Sequence, residues 1–232
     1  MEFLEEIAFN IWNYPVSWLE LVGTVAGLIA VALAAMNHIW NWGIGLVNVV
    51  CFFVIFKKEG LYSDMLLQVY FFITGIYGWY IWSKSARLAK NDAQNGEYTG
   101  GGAILSLETK TIVWLSASVV LFTFLMGNFT PKLHVWYPIF FKTATAFPFV
   151  DAFATVLSVI ANYLLARRFV ESWFIWIIVN IVSTYMYFEK NLKLISIEFF
   201  IFLIIAIIGA IQWSKMYQQQ TKNKSMMPSL DD

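Results

Sequence analysis

Seven apolar runs divide this sequence, and no other feature limits its fold as much. They lie at about 18–36, 40–56, 62–82, 111–128, 147–166, 173–188 and 194–213, each near the roughly 20 residues that a helix needs to cross a bilayer. Inside lipid every backbone N–H and C=O must be satisfied within the segment, so runs of this length read as helices. Only 13% of the 232 residues are charged, against roughly 25% in a soluble domain, and mean hydropathy is +0.65. The expectation is an all-α integral membrane protein with seven transmembrane helices and the lipid bilayer as its solvent.

The same composition excludes several function classes. Formal net charge is zero, which argues against nucleic acid as a partner. The one cysteine, Cys51, sits inside an apolar run and rules out an intrachain disulfide, a cysteine metal site and a CxxC redox motif. His38 and His134 lie far apart, each near a helix end, so no metal site is expected from them. No glycine-rich phosphate loop is present, so the chain is not expected to hydrolyse ATP, and no cofactor is called for. A membrane enzyme would need a nucleophile–base pair or a metal cluster at membrane depth, and no His or Cys pairing supplies one. A seven-span retinal protein would need a lysine inside the last span, whereas Lys193 and Lys215 only flank it.

The connections carry their own expectations. Residues 1–14 mix Phe3, Leu4, Ile7, Phe9, Ile11 and Trp12 with acids and asparagines, which reads as an amphipathic helix on the membrane surface, ended by Pro15. The acids Glu2, Glu5 and Glu6 argue against a cleaved signal peptide. Residues 83–110 are polar and glycine-rich and read as a flexible loop, which with the fourth span forms a linker over 83–128. Residues 129–146, with Pro131 and Pro138, read as a second loop, and 214–232 as a disordered tail. With the N-terminus outside, the inner connections hold Lys84, Arg87, Lys90, Lys110, Arg167, Arg168, Lys215, Lys222 and Lys224, nine bases in all. The outer ones hold six: Lys57, Lys58, Lys132, Lys142, Lys190 and Lys193. By the positive-inside rule the C-terminus is expected in the cytoplasm.

The second half echoes the first. The Gly-x-x-x-Trp endings at Gly78–Trp82 and Gly209–Trp213 stand 131 residues apart, and the same offset relates Glu20 to Asp151 and Trp42 to Trp173. With a one-residue gap Asn48 matches Asn180. The offset spans four helices, an even number, so both halves point the same way across the membrane. The division that fits is 3+1+3: a three-helix unit over 18–82, a linker helix, and a second unit over 147–213. Parallel repeats about an axis along the membrane normal are a transporter architecture, as in the SWEETs, with the site expected between the units near mid-membrane.

Polar groups inside the spans point to that site. Trp173, Trp176 and Asn180 stand at i, i+3 and i+7, on one face of the sixth helix. Two flat rings and an amide suit a flat heteroaromatic ligand, although tryptophans at a helix start also serve as interfacial anchors. Asn48 and Gln68 fall within spans, where asparagines also hold helices together. Asp151, about one turn into the fifth span, is the acid best placed to face a cavity, whereas Glu20 lies near the surface and Glu198 is ambiguous.

Together, Trp40-Asn41-Trp42-Gly43-x-x-x-x-Asn48, Leu61-Tyr62-Ser63-Asp64 with Gln68, Gly78-Trp79-Tyr80-x-Trp82, and Glu171-x-Trp173-x-x-Trp176-x-x-x-Asn180 resemble the PnuC family of bacterial nicotinamide riboside (vitamin B3) transporters. The likeness covers about 18–82 and 147–213. It implies a homotrimer in the bacterial inner membrane that takes up nicotinamide riboside by facilitated diffusion, with trapping by a cytoplasmic kinase. On that reading Trp173 and Trp176 flank the cationic ring, Asn180, Asn48 and Gln68 bond the amide and ribose, and Asp151 offsets the charge. Other members carry other vitamins such as thiamine, and coupling to protons or sodium through Asp151, Glu20 or Glu198 is the alternative mechanism.

Overall fold

The computed structural model describes residues 7–11, 14–58, 62–94, 102–138, 147–189 and 193–226. Among them are seven helices: α1 (Trp18–Ala35), α2 (Trp40–Lys58), α3 (Tyr62–Gln94), α4 (Thr109–Trp136), α5 (Pro148–Ala166), α6 (Glu171–Glu189) and α7 (Lys193–Met226). Six of them, all but α6, are long and apolar enough to cross a membrane by length and composition. At 19 residues α6 matches α2 and α5 in length, but it devotes its interior to Trp, Asn, Ser, Thr and Tyr side chains. Local chemistry sets the ends. The Ser17 hydroxyl accepts from the Glu20 N–H at 3.2 Å, in the Ser-x-x-Glu spacing of a capping box. Pro148 opens α5, where its missing N–H costs nothing.

Four expectations are corrected. Residues 7–11 are not part of a surface helix. They form strand β1 (Ile7–Ile11), paired antiparallel with β2 (Tyr14–Ser17). Ile7, Phe9 and Ile11 recur with period two, the period of a strand, and Pro15 is tolerated because this two-stranded ribbon has only edges. The helix α3 runs on to Gln94, so the polar segment after residue 82 begins as helix. The helix α4 passes through Pro131 and ends at Trp136, beyond the expected stop at 128. The tail is helical to Met226, since Lys, Gln and Met extend a helix readily once a long span has nucleated it. Residues 1–6, 12–13, 95–101, 139–146 and 227–232 of those segments lie outside the described residues.

Helices α1 to α3 pack in sequence, as do α5 to α7, and the two sets meet where α1 touches α7 and α3 touches α5. The helix α4 packs on α5 alone among the helices with substantial contact. Local geometry recurs at the 131-residue offset. At the end of α1 the N–H groups of Asn37 and His38 donate to Ala34 and Leu33, and at the end of α5 those of Arg168 and Phe169 donate to Leu165 and Leu164, all at 2.9 Å. Among the described residues, Asn37 and Arg168 are also the non-glycine residues with positive φ, 54° and 60°. This is the left-handed helix stop in which Asn is at home and Arg is not. Arg168 is held there by donating from Nε to Asn37 Oδ1 at 3.2 Å and by lying 4.2 Å over the Trp82 ring. Burial pushes its guanidinium down to about 10, so it stays cationic at neutral pH.

A belt of four tryptophans closes this end of the bundle. Trp42 meets Trp82 edge-on at 5.6 Å, Trp173 meets Trp213 edge-on at 5.7 Å, and Trp82 and Trp213 touch at 6.0 Å. The Trp82 indole donates to the Ala166 carbonyl, and the Trp213 indole to those of Ala34 and Ala35, at 3.1 Å. Each bond reaches from one helix set into the other. Residues 102–108 seal the belt from outside: Ile104 is buried in it, and Leu105 bridges Arg168 and Val170 through two 2.9 Å backbone bonds. Ser106 Oγ and the Leu107 N–H both donate to Glu171, at 2.7 and 3.0 Å.

Candidate functional site

A cavity of about 250 Å³ lies between the two helix sets, lined from α1, α2, α3, α5, α6 and α7. It runs from the tryptophan belt toward the opposite end of the bundle, where α1, α5 and α7 begin. This volume lies just below the usual span of small-molecule sites, roughly 300–1,000 Å³. Phe52, Phe56, Phe199 and Phe202 form much of its apolar wall.

Five of the six residues singled out in the sequence meet here: Trp173, Trp176, Asn180, Asn48 and Gln68 all line the cavity. The i, i+3, i+7 spacing on α6 turns the first three inward together, as expected. The two rings differ in setting. Trp173 is 1% exposed and wedged into the belt, so it forms the floor. Trp176 is half-buried and leans on Phe71 at 6.4 Å with a 49° tilt, so it forms a side wall. Asn48 donates from Nδ2 to the Gly23 carbonyl at 2.9 Å, which ties α2 to α1 and leaves its amide oxygen for other partners. Gln68 and Asn180 are buried at 8% and 4% exposure.

Asp151 is the sixth, and it is not on the cavity wall. It stands in the first turn of α5, whereas the α5 residues on the wall, Asn162 and Leu165, lie near the other end of that helix. Its carboxylate nonetheless lies within electrostatic reach of Tyr187, which does line the cavity. The wall also carries Asn41, Asn162 and Tyr187, which sequence reasoning did not propose for the site, and Glu198, which it left ambiguous. Asn162 Nδ2 donates to Thr74 Oγ1 at 2.6 Å, and Asn41 Nδ2 to the His38 carbonyl at 2.8 Å. Asn41 could have been found as the residue between Trp40 and Trp42. Asn162 had no partner at the 131-residue offset, where Val31 stands, and so gave no signal.

Chemically the wall offers indole faces, five side-chain amides, one phenol and one carboxylate, with no Lys or Arg among the described lining residues. Amides both donate and accept, so they suit hydroxyls and carboxamides equally. The indole N–H groups of Trp42 and Trp173, both on lining residues, are buried without an acceptor among the described residues. A buried donor of this kind costs about 1–3 kcal/mol until something accepts from it. No group of three or more His, Cys, Asp or Glu side chains that could hold a metal occurs among the described residues.

Comparison with known proteins gives the family. The family described as "Nicotinamide mononucleotide transporter" matches residues 17–215. The nicotinamide riboside transporter PnuC of Escherichia coli K12 is 32% identical over 232 residues, covering 90% of each chain. The riboflavin/roseoflavin transporter RibM of Streptomyces davaonensis is 23% identical and covers 92% of each. A crystal structure of the vitamin B3 transporter PnuC superposes with a TM-score of 0.66 at 24% identity, covering 87% of this chain and 83% of that one, which shows a shared fold.

Proposed function

The chain belongs to this family of bacterial multi-pass membrane transporters, and from that premise we propose that it carries nicotinamide riboside across a bacterial inner membrane. The observation that carries the reading is the charge of the cavity: one carboxylate and no base among its described lining residues. A mononucleotide brings a phosphate of about −1.5 to −2 charge at neutral pH, which needs cationic or N–H partners. The riboside lacks it. Its flat ring suits the Trp176 face, and its carboxamide and hydroxyls suit Asn48, Gln68, Asn162 and Asn180. The orphan indole donors of Trp42 and Trp173 are two further partners for its oxygens.

Architecture and mechanism follow on the same terms. Helices α1–α3 and α5–α7 form two parallel units with α4 as linker, a reading supported by the bonds and turns that recur at 131 residues. Transport is facilitated diffusion, with a cytoplasmic kinase trapping the product. The chain works as a homotrimer, for which the apolar flank of α4 is available: Trp114 is 75% exposed and Phe124 62%. The N-terminus is outside and the C-terminus cytoplasmic.

Isothermal titration of the detergent-purified protein tests the substrate. Nicotinamide riboside is expected to bind and nicotinamide mononucleotide not to; tight binding of the mononucleotide would end the charge argument. Thiamine or riboflavin binding in place of the riboside would keep the fold and replace the substrate. Light scattering on the same sample should give three chains per particle, and a monomer would remove the trimer. Uptake into vesicles that survives an uncoupler is expected; uptake that collapses would favour coupling through Glu198. Topology has its own test. Arg167 is exposed at the end of α5, so Arg167→Cys in a Cys51→Ala chain should resist an impermeant maleimide in whole cells and react after lysis. Labelling before lysis would invert the orientation.

A further inference from the structure

We infer that Glu198 is the charge-selecting residue of the cavity: its carboxylate separates a riboside with a cationic pyridinium ring from the same riboside with a neutral ring. The inference rests on the riboside reading above and deepens it. Glu198 sits in the second turn of α7, half-buried, on the cavity wall. It is the one charged side chain among the described lining residues. An acid held inside an apolar bundle is costly, and a position facing an interior cavity marks it as functional.

The surroundings give the carboxylate a direction. The Thr24 hydroxyl donates to Glu198 Oε2 at 3.4 Å, a long bond that ties the head group to α1. Asp64 and Asp151, with Glu198 itself, lie within electrostatic reach of Tyr187, and Glu20 lies within reach of Glu198. Acidic side chains of α1, α3, α5 and α7 thus gather around this end of the cavity, and a cation entering there favours their ionised forms. Lys57 and Lys58, at the same end of the bundle, are exposed and off the cavity wall. A low-dielectric wall focuses such a field on whatever enters. A ring with a formal positive charge gains from it, whereas a flat ring of the same shape without charge does not. Stacking on Trp176 and the amide contacts are common to both forms, so they cannot discriminate between them.

The experiment uses two probes that differ by that charge: nicotinamide riboside and its reduced 1,4-dihydro form. Each is titrated into the intact purified protein and into Glu198→Gln. Gln keeps an oxygen to accept from Thr24, so the α1–α7 contact survives, and the thermal midpoint of the variant checks this. Wild type is expected to prefer the cationic riboside by at least about tenfold, and Glu198→Gln to bring the ratio close to one by weakening the cationic probe alone. The readout is a ratio, which a purely structural role for Glu198 would not move. A wild-type ratio near one, or a preference that survives in Glu198→Gln, overturns the inference and leaves the riboside reading intact. If wild type binds neither probe, the riboside reading falls and takes this inference with it.

Discussion

Gly209→Ala, a change of one methyl group, is expected to lower riboside affinity roughly ten- to a hundredfold and to depress the thermal midpoint. A Cβ at Gly209 would stand 2.6 Å from Trp173 Cε3 and 2.7 Å from two further atoms of that ring. Trp173 has nowhere to go, being 1% exposed and closed in by Trp213. Either the ring tilts into the cavity or α7 moves off α6. Overpacking a core in this way costs about 1–3 kcal/mol, which is the stated range of affinity when the displaced ring is part of the site. Two companion variants make the test specific. At Gly78 a Cβ would stand 2.5 Å from Trp42, so Gly78→Ala should give the same class of defect. At Gly45 the nearest atom is Ala30 Cβ at 3.7 Å, an ordinary contact, so Gly45→Ala should be tolerated. If all three variants behaved alike, the seats beneath the tryptophans would have no special role.

Trp176→Ala is expected to raise the riboside dissociation constant about tenfold while leaving the thermal midpoint nearly unchanged. The two effects separate because Trp176 is not one of the four belt rings. Trp176 is half-buried with Phe71 as its ring partner, and removing it leaves the indole bonds of Trp82 and Trp213 in place. A cation over an indole is worth about 0.5–2 kcal/mol, and the lost apolar wall adds to it. Trp176→Phe should recover part of the loss, since a smaller ring still stacks. Trp173→Ala, in contrast, should unsettle the fold, as large-to-small changes of a buried Trp cost about 3–5 kcal/mol. Unchanged affinity in Trp176→Ala would remove stacking on this ring from the account.

Much of this was legible in the chain. The seven runs follow from the bilayer's length requirement, which acts on composition alone. The site face of α6 follows from helical periodicity, so Trp173, Trp176 and Asn180 group together on sequence alone. Trp82 and Trp213 could be paired by their spacing, but not their acceptors, because a carbonyl carries no sequence identity. The N-terminal ribbon was misread because Ile7, Phe9 and Ile11 fit a strand as well as a surface helix in so short a run. The continuation of α7 past Trp213 was missed since polarity signals departure from lipid, not departure from helix. That Glu198 lines the cavity and Asp151 does not was hidden, because depth along a span can be counted, but the stretch of each helix that a cavity reaches cannot be, until the neighbouring helices are placed. Arg168 in a left-handed turn was equally hidden, because its conformation is held by Asn37 and Trp82, not by any preference of its own.

The crossed indole bonds also say something about ancestry and size. Trp82 donates to Ala166, and Trp213 donates to Ala34 and Ala35. At the 131-residue offset Ala166 is the counterpart of Ala35. The pattern is that of an isologous dimer interface, where residue i of one copy meets residue j of the other and the reverse holds too, written here within a single polypeptide. A chain with only the first three helices would therefore carry an indole and a helix-end carbonyl whose partners here both lie in the other helix set. Two such chains, each lending the other its helix-end carbonyl, would rebuild the belt without a linker. Gene duplication and fusion would convert that symmetric pair into one chain, after which the two halves would be free to diverge at positions such as Asn37 and Arg168.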